Sequence, residues 1–265
     1  MLTSRDFVTG LHKLDIDGAR PMIAHASLSA FGEVQGGAET ILGALISSFR
    51  AIMAPTFTYK TMVIPEAGPP DNALTYGSGK DANRMAEVFS PGMPADRMMG
   101  VVAEALRVRA GAQRSMHPIL SFAGLNAGEI LGSQTVGEPL MPFRKLIDDD
   151  GWVLLMGVDQ TVDTGIHYCE RLAGRKQFVR WALTSKGVVP CPGWPGCSDG
   201  FDALAPHLDR VLRKVEIGEG VVQAIPLVSL ADTVCALIKA DPLALLCGRE
   251  DCPRCNAVRT SVVVQ

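Results

Sequence analysis

The chain has 265 residues, 47% of them hydrophobic, and its 25 basic and 28 acidic residues give a net charge of −3. This length allows a substantial core in one large domain or two modest ones. The charge balance argues against nucleic-acid binding through a basic face, and no run approaches the roughly 18 apolar residues of a membrane span. The N-terminus shows no export signal, so we predict a cytoplasmic protein.

The first third of the chain alternates between predicted strands and helices. "RPMIAHASL" and "AIMAPTFTY" are apolar runs typical of strands, and "GGAETILGALISSFR" between them has apolar positions at helical spacing. This order is typical of an α/β fold with a mainly parallel or mixed sheet flanked by helices. Residues 60–95 are rich in Gly, Pro, Asn and Asp, which predicts a long loop.

The remaining elements continue the alternation. A helix in "ADRMMGVVAEALRVRAG" precedes a strand in "HPILSFAGL", the short helices "NAGEILG" and "RKLIDDDG", and the strand "WVLLMGV". After Arg175 we predict long strands in "QFVRWALTSKGVV" and "GEGVVQAIPLV", and helices in "SDGFDALAPHLDRVL" and "SLADTVCALIKADP". Residues 1–265 are therefore predicted to form a single α/β domain. The alternative is that residues 176–265 form a subdomain of their own.

The segment "TGIHYCERLAG" carries a histidine, a cysteine and a glutamate at the start of a predicted helix. A helix turns about 100° per residue, so His167 and Glu170 share a face while Cys169 points nearly opposite His167. Cys169 is therefore predicted to be a core residue and not part of a Cys–His dyad. The pair is either a general base oriented by a carboxylate or a helix-face hydrogen bond without a catalytic role. The spacing alone favours the second interpretation.

Four blocks of this sequence, taken in order, resemble the aminoglycoside 3-N-acetyltransferase family: "IAHASLSAFG", "APTFT", "ADRMMGVVAEALRVRAGAQRSMHPILSFAGLNA" and "GWVLLMGVDQTVDTGIHYCE". Members of that family transfer an acetyl group from acetyl-CoA to the 3-amino group of an aminoglycoside, which confers antibiotic resistance. The resemblance implies an α/β fold of this type. It also reverses the preference above, because His167 then matches the family's histidine and Glu170 its glutamate.

The resemblance further implies which residues face the two substrates. Small residues at strand ends let backbone N–H groups approach the coenzyme, and the implied coenzyme residues are His25, Ser27, Leu28, Ser29, Ser115, His117, Ser121 and Phe122. Arginines that could pair with its phosphates are Arg107, Arg109 and Arg114. A polycationic acceptor needs carboxylates, and those available are Glu66, Asp71, Asp148, Asp149 and Asp163. The segments "GEPLMPFRKL" and "YKTMVIPEAGPPDN" depart from the family pattern on this acceptor side.

Seven cysteines cannot all pair with one another. "DCPRC" has the two-residue spacing of a zinc-binding loop, and two more cysteines lie in "PCPGWPGC". We predict a structural zinc site formed by Cys191, Cys197, Cys252 and Cys255, with Cys247 as a competing ligand. The alternative is a reduced pair without a metal.

Two rival functions stay open from the sequence. A zinc-dependent hydrolase would use His25, His117 and His167 as ligands around an open metal position. A non-catalytic module would bind coenzyme A or an amine without transferring an acetyl group. Neither rival needs the His167–Glu170 pair to act as a base.

Overall fold

The structure is a computed structural model that describes residues 1–263. These residues form ten strands, namely β1 (Met22–Ala26), β2 (Ile52–Pro55), β3 (Met62–Val63), β4 (Gln113–Arg114), β5 (Phe122–Leu125), β6 (Trp152–Met156), β7 (Phe178–Thr184), β8 (Gly187–Trp194), β9 (Arg213–Ile217) and β10 (Gly220–Pro226). Seven of them form the main sheet in the order β4-β5-β2-β1-β6-β10-β9. β1 is parallel to β2 and β6, whereas the outer pairs are antiparallel. The sheet is therefore mixed.

The same residues form nine α-helices, which are α1 (Ser4–Lys13), α2 (Ala38–Ser48), α3 (Gly100–Val108), α4 (Gly128–Gly132), α5 (Met141–Asp148), α6 (Thr164–Leu172), α7 (Ala205–Leu208), α8 (Leu227–Ala240) and α9 (Pro253–Val263). The first of them was not predicted from the sequence. Its signal is a capping box, in which Thr3 and Asp6 each bond the other's backbone N–H. No helix in residues 1–263 is long and apolar enough to cross a membrane.

Side chains that alternate along the strands build a core on each face of the main sheet. Ile23 and Leu155 belong to one core, together with apolar residues of α5, α6 and α8. Met22 and Leu154 belong to the other, together with residues of α1, α2 and α3. The fold is therefore a helix–sheet–helix sandwich, which confirms the predicted α/β class.

The C-terminal third differs from the sequence prediction in four places, and two of these, β9 and α9, are elements that the sequence did not predict. The predicted long strand "QFVRWALTSKGVV" is a hairpin of β7 and β8, because the chain turns at residues 185–186 and the Thr184 hydroxyl donates to the Gly187 carbonyl at 2.8 Å. β3 joins this hairpin to form a second, antiparallel sheet of three strands. The predicted helix "SDGFDALAPHLDRVL" is a 3-10 turn, Phe201–Leu204, followed by the short α7. Residues 60–95 form a long loop that contains β3 and short turns, as predicted.

Candidate active site

A chamber of about 400 Å³ opens at the carboxyl ends of the parallel strands. β1, β2 and β6 end at this edge, and α6 begins there after a short loop. The lining includes His25 from β1, His167 from α6, Trp194 from β8 and Arg254 from α9. Open α/β sheets bind ligands at this edge, where strand ends and helix starts meet. The chamber is therefore the candidate active site.

His167 lies near the start of α6 and lines the chamber. The helix is capped by the Asp163 side chain, which accepts from the Gly165 N–H at 2.8 Å. His167 Nδ1 lies 2.8 Å from Glu170 Oε2. Because a carboxylate only accepts hydrogen bonds, Nδ1 carries the proton of a neutral ring and Nε2 carries its lone pair. Nε2 is therefore the atom of this ring that can accept a proton.

Glu170 is held on its other oxygen by a residue that the sequence analysis missed. Arg175 Nη1 donates to Glu170 Oε1 at 2.7 Å, and each side chain is only 2% exposed. Arg175 Nη2 donates to the carbonyls of Pro242 and Ala244 at 2.9 and 2.7 Å. A buried carboxylate is stable only when a cation pairs with it, and Arg175 is the cation that pairs with Glu170. The only sequence signal for this contact is that Arg175 is a basic residue shortly after the end of α6.

A second cavity of about 500 Å³ adjoins the chamber, and Ala26 lines both. Ser27, Leu28 and Ser29 line this second cavity, and the two serine hydroxyls lie 3.2 Å apart. The structure therefore brings three of the eight predicted coenzyme residues together in one cleft beside the chamber.

His25 lines the chamber and not the second cavity. Its side chain is buried, and its Nε2 has no hydrogen-bond partner within residues 1–263. Burial lowers the pKa of His25 to about 4, because it removes the water that would stabilise the positively charged ring. The His25 ring is therefore uncharged near pH 7, so it can contact a ligand through a hydrogen bond to a ring nitrogen but not through a positive charge.

The other four predicted coenzyme residues lie beside β4 and β5 and line neither cavity. His117 Nδ1 accepts from the N–H groups of Ile119 and Leu120 at 3.1 and 2.9 Å. The backbone N–H of Phe122, whose ring lies in the core, donates to the Ser115 hydroxyl at 2.8 Å. The Ser121 hydroxyl donates to the Thr56 carbonyl at 2.8 Å. The structure therefore does not bring Ser115, His117, Ser121 and Phe122 to either cavity, and their place at the coenzyme stays a prediction.

The three arginines considered for the coenzyme phosphates have protein partners. Arg107 forms a bidentate pair with Glu104, and Arg109 lies 2.9 Å from Glu39. Arg114 donates to backbone carbonyls and to a serine hydroxyl. The contacts with the protein therefore explain how the three side chains are held, and no ligand is needed to explain their positions.

Most of the carboxylates considered for the acceptor lie away from the chamber. Glu66, Asp71, Asp148 and Asp149 are not among its lining residues. Asp148 and Asp149 line a groove at the opposite edge of the sheet, where β1, β2 and β6 begin. Only Asp163 lines the chamber, and burial raises the pKa of its carboxyl to about 7.

Cys169 lies in the core as predicted. Its side chain is 0% exposed and packs in the apolar cluster beneath the chamber. Burial raises the pKa of its thiol well above the ordinary value. Because the thiolate is the nucleophile, a thiol in this state is inert.

Four other cysteines form a compact buried cluster. The sulfurs of Cys197, Cys247, Cys252 and Cys255 lie within 4.8 Å of one another. Four Zn–S bonds of about 2.3 Å place sulfurs about 3.8 Å apart, so the set fits a tetrahedral zinc ion. Cys191 of the predicted set lies outside this cluster, because β8 carries it into the main core. Cys247 takes its place.

No histidine joins this cluster or any other cluster that could hold a metal in the described chain. His25 and His167 line the chamber, but His117 does not. The three histidines of the hydrolase alternative therefore do not converge on one open metal position, as that chemistry requires.

A family model and the curated relatives of this chain agree on one family. A model of the family described as aminoglycoside 3-N-acetyltransferase matches residues 23–239. Aminoglycoside N(3)-acetyltransferase III from Salmonella sp is 27% identical over 231 residues, covering 77% of this chain and 79% of that protein. Aminoglycoside N(3)-acetyltransferase IX from Micromonospora chalcea is 34% identical over 173 residues, covering 60% of this chain and 59% of that protein.

Solved structures share the fold. The apoenzyme of aminoglycoside acetyltransferase AAC(3)-IVa matches with a TM-score of 0.79 at 21% identity, covering 98% of this chain and 97% of that one. AAC-IIIb in a binary complex with CoASH matches at 0.72 and 21% identity, covering 90% and 97%. AAC-VIa bound to sisomicin matches at 0.72 and 21% identity, covering 90% and 98%.

Proposed function

The chain belongs to the aminoglycoside 3-N-acetyltransferase family, and from this premise we propose that it transfers the acetyl group of acetyl-CoA to the 3-amino group of an aminoglycoside. The observation that carries the proposal is the His167–Glu170 pair, with a Nδ1–Oε2 distance of 2.8 Å, at a chamber that adjoins a second cavity. AAC-IIIb bound to CoASH and AAC-VIa bound to sisomicin support the two substrates. In this proposal the second cavity receives the coenzyme and the chamber receives the amine.

His167 acts as the general base in this mechanism. The acceptor reacts as the neutral amine, because an ammonium ion has no lone pair, and Nε2 of His167 takes one proton from the amine nitrogen as that nitrogen attacks the thioester carbonyl carbon. The C–N bond forms and the C–S bond breaks, and the bonding electrons leave with sulfur. The imidazolium of His167 then gives this proton to the thiolate, which yields an amide, free coenzyme A and the neutral ring. Glu170 stabilises the imidazolium that forms, as a carboxylate partner does in hydrolase triads.

The loop from Ser27 to Ser29 is proposed to hold the acyl end of the coenzyme. The hydroxyls of Ser27 and Ser29 line the second cavity, next to the residue that both cavities share. In the proposal, a serine hydroxyl or the backbone N–H of Leu28 or Ser29 donates to the oxyanion that forms on the acetyl carbonyl, because the Ser27 N–H already donates to the Met156 carbonyl. His25 contributes its neutral ring on the chamber side.

The proposal is tested by following thiol release from acetyl-CoA with a thiol reagent. Thiol release that requires both the protein and an aminoglycoside, with an acetylated amine found by mass spectrometry, supports it. Binding of either substrate without release would instead support the non-catalytic module. Expression in a sensitive bacterium tests the proposed resistance. The reducing cytoplasm suits both acetyl-CoA and seven free cysteines, so we propose that the enzyme works there.

The four-cysteine cluster is proposed to hold a structural zinc ion. Four thiolates close a tetrahedral site and leave no position for a substrate, so the ion would stabilise the fold and not take part in acetyl transfer. Burial acts to raise the pKa of Cys252, but the Cys255 N–H and neighbouring thiols outweigh it and lower that pKa to about 6. Metal analysis of the purified protein should find one zinc per chain, and the absence of zinc after purification without chelators would refute the site.

A further inference from the structure

One carboxylate in the lining of the chamber is open to a ligand. Asp199, which the sequence analysis did not name, follows β8 and lines the chamber, and its side chain is 51% exposed. Within residues 1–263 the other carboxylate of the lining is Asp163, whose free oxygen is buried and whose pKa burial raises to about 7. Asp199 is therefore the acidic side chain of the chamber that a cation can reach.

Asp199 lies on a segment that packs against the proposed base. Phe201 begins a 3-10 turn two residues later, and its ring centroid lies 4.7 Å from that of the His167 ring. Two residues span at most about 7 Å, so the backbone at Asp199 lies close to this contact. The Gln160 N–H donates to Asp202 of the same turn at 3.1 Å, which ties the turn to the loop before α6. The carboxylate of Asp199 is thus carried by a turn that is held beside the base.

An exposed arginine occupies this carboxylate. Arg249 Nη2 lies 2.7 Å from Asp199 Oδ2, and the Arg249 side chain is 59% exposed. The same Nη2 donates to Cys197 Sγ at 3.9 Å, so Arg249 lies between Asp199 and the four-cysteine cluster. An ion pair this exposed is weak, because water screens both charges. A positively charged group of a ligand can therefore displace Arg249 from Asp199, and the cysteine cluster remains beside Arg249 as its other partner.

The lining carries both signs of charge, so the position of each charge decides how an acceptor lies. Arg254 is a cation of the lining, and its Nη1 donates to the Gly196 carbonyl at 2.8 Å. A charged amino group is repelled by Arg254 and attracted by Asp199, and such complementarity fixes orientation as well as affinity. A polycationic acceptor in the chamber is therefore oriented by these two opposite charges.

We infer that Asp199 is a specificity-determining residue that binds a second, charged amino group of the acceptor while the reacting amine lies at His167, and that Arg249 competes with the acceptor for this carboxylate. This inference rests on the proposed acetyl transfer and names the contact that orients its substrate. Asp199 does not touch the reacting atoms in this arrangement. It should therefore affect the binding of the acceptor and have little effect on the chemical step.

The test separates the two members of the ion pair, using whichever of neomycin and gentamicin releases thiol faster. We expect Asp199→Asn to raise the KM for this aminoglycoside about tenfold, the loss of one charged hydrogen bond, with little change in kcat or in the KM for acetyl-CoA. Arg249→Gln should instead lower the KM about two- to fivefold, because it removes the competitor. The double variant should resemble Asp199→Asn. Asp148→Asn, which breaks another half-exposed pair away from the chamber, should leave the KM unchanged.

The same rise in KM in both single variants, with a lower melting temperature, would show that the pair only holds the cysteine loop and would overturn the inference. An unchanged KM in Asp199→Asn would overturn it as well. If the wild type releases no thiol with either aminoglycoside, the proposed function fails, and calorimetry with neomycin then tests the carboxylate by itself. Neomycin should bind Arg249→Gln most tightly and Asp199→Asn least tightly, and equal binding to these variants and the wild type refutes the site.

Discussion

The buried pair of Arg175 and Glu170 gives the most quantitative prediction. In Arg175→Met, a side chain of similar length but without charge leaves Glu170 buried with one oxygen unpaired. Removing one partner of a buried ion pair costs about 3–5 kcal/mol, and here the 2.7 Å contact and the 2% exposure of both side chains place the loss in that range. The carbonyls of Pro242 and Ala244 also lose their donor. Against a total stability of about 5–15 kcal/mol, this loss is large.

Urea unfolding of the variant and of the wild type measures this loss. The matched control is Arg144→Met, which breaks an exposed pair with Asp148 and should change the stability little, because water screens such a pair. Adding Glu170→Gln to Arg175→Met removes the stranded charge and should recover at least about 1 kcal/mol. If Arg175→Met and Arg144→Met destabilise the protein equally, Arg175 does not neutralise Glu170 and the reasoning is refuted.

Three further predictions concern other side chains. Cys169→Ser should keep most of the turnover per folded molecule, because the thiol lies in the core; abolished transfer in a folded variant would instead indicate an acyl-cysteine route. Cys247→Ser should lose the zinc while Cys191→Ser keeps it, as measured by metal content, and the opposite result would restore the set predicted from the sequence. The pKa of His25 is lowered from 6.5 to about 4 in the folded protein, so the unfolded chain binds a proton first and stability falls as the pH drops through that window. His25→Gln should remove about 3 kcal/mol of this acid destabilisation, and unfolding curves with the same pH dependence as the wild type would contradict it.

Local periodicity was enough to predict the layers of the fold. The central strands are short apolar runs, and the helix in "GGAETILGALISSFR" shows a clear apolar stripe, so both were found. The hairpin in "QFVRWALTSKGVV" was missed because Ser185 and Lys186 are ordinary polar residues, and a turn is set here by the Thr184 contact and the positive φ of Gly187. The sequence alone does not reveal such a contact, because it forms only when the two strands pair.

Helical spacing predicted the His167–Glu170 pair directly, because the two residues are close in sequence. His167 and Glu170 lie one helical turn apart, so a single segment contains both. Arg254, which the sequence analysis did not name, reaches the chamber through the fold of the C-terminus, whose contact with Gly196 no local pattern encodes. Cys247 was named from the sequence only as a competing ligand, and the same fold brings it to Cys197. Ser115 and His117 were named from the family resemblance alone, and the sequence gives no separate signal that would distinguish a buried polar side chain that bonds a turn from one that binds a ligand.

The rate of thiol release by His167→Ala tests the central claim most directly. If Nε2 of His167 takes the proton from the acceptor amine, the variant should fold normally, bind acetyl-CoA as the wild type does, and lose about two to four powers of ten in turnover. Turnover within tenfold of the wild type in a folded variant would contradict the account, since another group would then have to accept the proton.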